Sequence, residues 1–108
     1  MKTGSRIPKP GDNNRSTEWL KVRKAWLKDH STCAGCGGKL LLQVHHMKPF
    51  HLYPDLELVV SNFITLCERP TRDCHYRLGH EFDWKAYNEH VVEDADTSLK
   101  RVASRVYK

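Results

Sequence analysis

Apolar residues recur along this chain at spacings that mark out its elements in turn. Ser16 reads as an N-cap with Glu18 in the first turn, and Trp19, Val22 and Trp26 follow on one helical face. The spacing predicts a helix near 16–29 whose opposite face carries Lys21, Lys24 and Lys28. Residues 30–38 (HSTCAGCGG) break the pattern with small side chains and glycines, a composition that lets the backbone fold two thiols around one ion. Residues 39–44 (KLLLQV) form an apolar run of strand length, turn chemistry resumes at Pro49 and Pro54, and residues 58–66 (LVVSNFITL) are a second β-leaning run. Residues 76–80 suit a single helical turn, with Gly79 near its end. Trp84, Tyr87 and Val91 mark a further helix face, Leu99, Val102 and Val106 continue apolar spacing, and 94–98 reads as an interruption between them.

Ahead of the first helix, residues 1–14 combine two prolines and two glycines with Asp12, Asn13 and Asn14 and almost no apolar side chains. That composition predicts a flexible basic arm over 1–15, followed by a single domain over 16–108. A chain of 108 residues is too short to bury a large apolar core unaided, so a covalent or metal staple is expected. Its mean hydropathy of −0.67 and lack of a long apolar run exclude a membrane partner at this level of reading. No apolar run follows the basic residues of the N-terminus, which argues against a secretory signal and for a cytoplasmic location. In a reducing compartment Cys33, Cys36, Cys67 and Cys74 are better read as metal ligands than as two disulfides.

The formal charge of +5 suits a polyanionic partner, and its distribution sharpens the point. Residues 1–30 carry eight basic and three acidic side chains, and Lys100, Arg101, Arg105 and Lys108 meet no acid after Asp96. Both ends are therefore candidates for phosphate contact, although any one of these residues also reads as an ordinary solvated charge.

Cys33-x2-Cys36 and Cys67-x6-Cys74 supply two thiolate pairs of the kind that close a tetrahedral structural zinc site. The six-residue gap in the second pair requires its loop to bulge outward while both sulfurs point in. A redox role for Cys33-Ala-Gly-Cys36 would need the first thiol at a helix N-terminus, which Gly37 and Gly38 argue against. Such a zinc site would close residues 33–74 into one unit, and the histidines lie within or beside it.

His45, His46, Asn62, His75 and His80 are the remaining chemistry. Adjacent strand residues point to opposite faces, so His45 and His46 can line one site only where the strand ends, as Pro49 suggests. The segments LQVHHMKP (42–49), NFITLC (62–67) and Cys74-His75 resemble the HNH endonuclease family in its zinc-stabilised form, over roughly residues 19–80. The resemblance implies an α+β fold with a small ββα-metal core and a four-cysteine zinc site, flanked by N- and C-terminal helices. It further implies that His46 is the general base, Asn62 an orienting residue, and His45 and His75 ligands of a catalytic divalent cation. His80 lies five positions beyond His75, where four would suit an α-helix better, so the later ligand can be His75, His80 or both.

An imidazole with an ordinary pKa of about 6.5 can accept a proton from water at neutral pH, which fits the role given to His46. The cation would neutralise charge developing on the phosphate. Mg²⁺ or Mn²⁺ is expected there, and an imidazole pair tilts the choice toward softer ions such as Mn²⁺ or Ni²⁺. The expected function is phosphodiester hydrolysis in DNA, nicking one strand per site, by a monomer or weak dimer. The competing reading keeps the fold and the zinc but only binds nucleic acid.

Overall fold

Two short antiparallel strands position everything else in the molecule. The structure, a computed structural model, describes residues 16–106, with side chains through Ala103. The predicted arm of 1–15, the side chains of Arg105 and Val106, and Lys108 lie outside the described residues. Strand β1 (Leu42–His46) pairs with β2 (Phe63–Cys67) in the register Leu42↔Cys67, Val44↔Thr65, His46↔Phe63. Helix α1 (Trp19–Asp29) covers one face of the pair. Trp19 and Trp26 meet Phe63 edge-on at 5.7 and 5.4 Å between ring centroids, and the Trp26 indole N–H donates to Thr65 Oγ1 at 3.0 Å. A single helical turn (His75–Gly79) and helix α2 (Val91–Val106) follow β2, and the turn packs against both strands and α2. The result is a small α+β, ββα-like fold with a helix at each end. Among the described residues no helix is long and apolar enough to cross a membrane.

Element boundaries differ from the predicted ones where side chains compete for the backbone. Ser16 is buried, its hydroxyl accepts the Glu18 N–H at 3.1 Å, and its own N–H donates to the Glu57 carboxylate at 3.1 and 3.2 Å. It thus closes a turn ahead of the helix, and Glu18, not Ser16, takes the cap position, without a side-chain bond. The first strand starts at Leu42 instead of Lys39, because Leu41 adopts a left-handed φ of 54° that no regular strand tolerates. The second predicted strand loses its first half. Residues Val60–Asn62 wind into a tight 3-10 turn, following another at Pro54–Leu56, and pairing begins only at Phe63.

The C-terminal third departs further. Trp84 and Tyr87 do not belong to a helix, and 94–98 does not interrupt one: α2 runs unbroken from Val91. Asn88 accounts for the starting point. Its Oδ1 accepts the His90 N–H at 2.8 Å, while its Nδ2 donates to the Leu78 carbonyl at 3.0 Å and to Asp94 at 2.8 Å. The buried stripe of α2 is Val91, Ala95 and Ser98, with Val102 packed at its edge, whereas Leu99 lies at the surface. Ser98 belongs inside because its hydroxyl donates to the Gly35 carbonyl at 2.7 Å. The core these elements enclose consists of the four cysteines with Ile64, Leu66, Leu78, Val91 and Ala95.

Candidate metal centre

The four cysteines meet at the centre of that core, each buried, with sulfurs all within 4.8 Å of one another. Two backbone features converge them. The knuckle 33–38 folds back on itself through the Cys33 N–H to the Gly38 carbonyl and the Gly37 N–H to the Cys33 carbonyl, both at 2.8 Å, with Gly37 at a φ of 77°. The long gap between Cys67 and Cys74 bulges out through left-handed Thr71 and Asp73, returning Cys74 to the cluster. Gly35 must lack a side chain, since a Cβ there would lie 2.6 Å from Leu78 and 3.1 Å from the Cys74 sulfur.

The electrostatics of the cluster favour a bound cation. The Cys74 thiol beside Cys33, aided by N–H groups of Gly35 and Cys67 at 3.3 Å, pulls the Cys33 pKa down to about 5 against the effect of burial. The same contact pushes Cys74 strongly upward, and burial raises Cys36. The Cys33 thiolate forms readily while Cys36 and Cys74 resist ionising beside it. A metal such as zinc, which binds thiolates tetrahedrally, fits this donor set and relieves the conflict. Arg77 adds a donor to the Cys74 sulfur at 3.6 Å.

One residue beyond Cys74, a second cluster begins. His45, His75 and His80 each place a ring nitrogen within 4.8 Å of the other two, and their ring centroids form a triangle of 4.8 to 5.1 Å sides. The structure thus brings together both later histidines, between which the sequence left the choice open. The five-residue spacing is accommodated because His75–Gly79 is wound as a π turn, wider than an α turn, which returns i and i+5 to one side. Gly79 forms its inner wall: a Cβ there would lie 2.9 to 3.1 Å from the His45 ring.

Hydrogen bonds orient the rings. His75 Nδ1–H donates to the Glu68 carboxylate at 3.0 Å, and His80 Nδ1–H donates to the Ala86 carbonyl at 2.8 Å. Both bonds leave the lone pair on Nε2, the arrangement that imidazole ligands of metals adopt. His45 is 3% exposed, and its buried Nε2 has no hydrogen-bond partner. Burial first, then the neighbouring His75, His80 and His46, depress the His45 pKa to about 3; burial also lowers that of His80. An orphaned imidazole nitrogen in a triad of nitrogen donors fits a divalent cation.

His46 points to the opposite face of β1, toward α1, where its ring lies 4.7 Å from Trp19 and 5.2 Å from Phe63. Its Nε2 donates to the Glu57 carbonyl at 2.9 Å, which puts the basic lone pair on Nδ1. Because β1 ends at His46, both histidines nonetheless line one cavity of about 380 Å³, with His75, His80, His51 and Trp84. Asn62 stands behind it. Its Oδ1 accepts the Lys48 N–H at 2.8 Å and its Nδ2 donates to the Lys48 carbonyl at 3.0 Å, so one amide clasps the chain two residues past His46.

The groups that anchor the imidazole rings are those sequence reasoning missed. The carbonyls of Glu57 and Ala86 carry no signature of residue type, and Glu68 reads as a surface acid. Trp84, expected on a helix face, instead covers the triad at 4.8 Å from His80 and 5.3 Å from His75.

The chain matches no family model, and no curated protein or solved structure is significantly similar to it. A functional reading therefore stands on geometry and chemistry.

Proposed function

We propose that the protein is a metal-dependent DNA endonuclease of the HNH type that nicks one strand per site, with a structural zinc in the four-cysteine cluster. The observation that carries the reading is the triad of His45, His75 and His80, its donor nitrogens within 4.8 Å of one another, in the same cavity as His46. His45, His75 and His80 would hold a divalent cation, which when bound neutralises charge on a scissile phosphate and on the departing oxygen. His46 is the general base, its ring held in place by the Nε2–H bond to the Glu57 carbonyl. Asn62 keeps that base in place by holding the turn that follows it. Three imidazoles in place of carboxylates move the ion preference away from Mg²⁺ toward Mn²⁺, Ni²⁺ or Zn²⁺.

The test is relaxation of supercoiled plasmid with each ion in turn. Open circles should accumulate with Mn²⁺ or Ni²⁺ before Mg²⁺, and His46→Ala should slow the reaction about 100-fold or more with zinc content and circular dichroism unchanged. Plasmid that is retained by the protein but never relaxed under any ion would replace this reading with that of a zinc-dependent DNA-binding module.

A further inference from the structure

Beside the histidine triad the chain exposes two aromatic rings that the proposed chemistry does not use. Phe82 is 63% exposed and Trp84 55% exposed. Neither is loosely held. The Phe82 N–H donates to the Tyr76 carbonyl at 3.0 Å, the Tyr76 hydroxyl donates back to the Phe82 carbonyl, and the Asp83 N–H donates to the His80 carbonyl at 2.9 Å. Glu81 and Phe82 both adopt left-handed φ values, 52° and 66°, which cost energy in residues other than glycine. The fold thus spends conformational energy on a backbone that sets the Phe82 side chain at the surface. Tyr76 joins the two rings, with its own ring 5.7 Å from Phe82 and 4.9 Å from Trp84.

The position of this rim limits what it can receive. Trp84 lines the cavity of the triad and His46, and its ring packs on His75 and His80. Exposed Glu81 and Asp83 flank Phe82, Arg77 and Arg101 border the same groove as Phe82, and exposed Lys85 follows Trp84, so the charges here are mixed and what the two rings add is flat apolar surface. A planar, uncharged group tethered to a phosphate suits both facts, and in a DNA strand that group is the base. A base inside a duplex is already stacked on both sides and cannot offer its face to a protein ring, whereas an unpaired base can.

We propose that Phe82 and Trp84 form a stacking subsite for an unpaired base next to the scissile phosphate, making single-stranded or locally opened DNA the preferred substrate. This rests on the nuclease reading for the identity of the strand, and the two are separable by experiment. A fluorescent thymidine oligonucleotide, its duplex and an abasic strand of equal length are titrated against the His46→Ala protein, and binding is followed by anisotropy. The single strand should bind tighter than the duplex and about tenfold tighter than the abasic strand, within the range typical of one stacked base. Phe82→Asn, which tolerates the left-handed backbone, and Trp84→Ala should each remove that advantage and leave abasic binding unchanged. Trp84→Phe should restore most of it.

Equal binding of thymidine and abasic strands would overturn the subsite, as would variants that weaken both alike or a preference for the duplex. Cleavage of the oligonucleotide by protein with intact His46 is scored separately. Base-dependent binding without cleavage under any ion sinks the nuclease reading and spares the subsite; cleavage indifferent to both rings does the reverse.

Discussion

A histidine that is to hold a metal must arrive without its proton, and the surroundings of His45 ensure this. Its pKa falls to about 3 in the fold, against about 6.5 in an unfolded chain. Between those values the unfolded chain binds a proton that the folded protein refuses, so this group's contribution to stability declines as pH drops from about 6.5 toward about 3 and is constant above. Relative to His45→Leu, the wild-type urea midpoint should therefore fall on acidification from neutral to about pH 4.5 and stay level at alkaline pH, and a parallel course of the two proteins would contradict the assignment. Asn62 acts through hydrogen bonds alone. Removing both partners of Lys48 in Asn62→Ala should cost roughly 1–2 kcal/mol in chemical denaturation. Asn62→Asp keeps the acceptor but sets a carboxylate oxygen against the Lys48 carbonyl in a buried position, and should cost at least as much at neutral pH.

The turn His75–Gly79 is the element on which both clusters depend, because Cys74 precedes it and His75 and His80 bracket it. Its π winding makes a five-residue interval work as one turn, and its Gly79 lets the backbone close on the His45 ring. Deleting Arg77 should rewind the segment toward an α turn, swing His80 off the triad and weaken Mn²⁺ or Ni²⁺ binding by calorimetry. A gentler probe is Gly79→Ala, whose Cβ must displace the His45 ring. We expect a loss of about 1–3 kcal/mol in stability and weaker Mn²⁺ or Ni²⁺ binding, with the metal content attributable to the cysteines unchanged by mass spectrometry. Unchanged affinity in that variant would show that His45 is not a ligand.

For the molecule as a whole, four of the nine residues in the main buried cluster are cysteines. Little apolar core remains beside them, so a metal held by these thiols would act where a larger protein uses hydrophobic burial. Chelation strong enough to strip the cysteine cluster, or Cys74→Ser, should abolish cooperative thermal unfolding. His75→Ala should leave that transition in place while weakening any Mn²⁺ or Ni²⁺ binding. A melt unaffected by chelation would show that the cysteines pack as ordinary core residues.

Much of this was legible from residue types and spacing: the two thiol pairs, the histidines, Asn62 and the helical face of Trp19, Val22 and Trp26 depend on local chemistry and periodicity. Where side chains or bends redirect the backbone, periodicity misled. Leu41 delayed β1, Asn88 set the start of the last helix beyond Trp84 and Tyr87, and Ser98 turned inward to the Gly35 carbonyl. Choosing between His75 and His80 needed the fold too, since whether residues five apart share a side depends on how the intervening turn is wound. The same holds for the anchors of the imidazoles at Glu57, Glu68 and Ala86, two of them backbone carbonyls. Ligand chemistry resides in the side chain and can be read in one dimension; convergence and orientation arise from contacts between distant segments, and only the folded chain contains them.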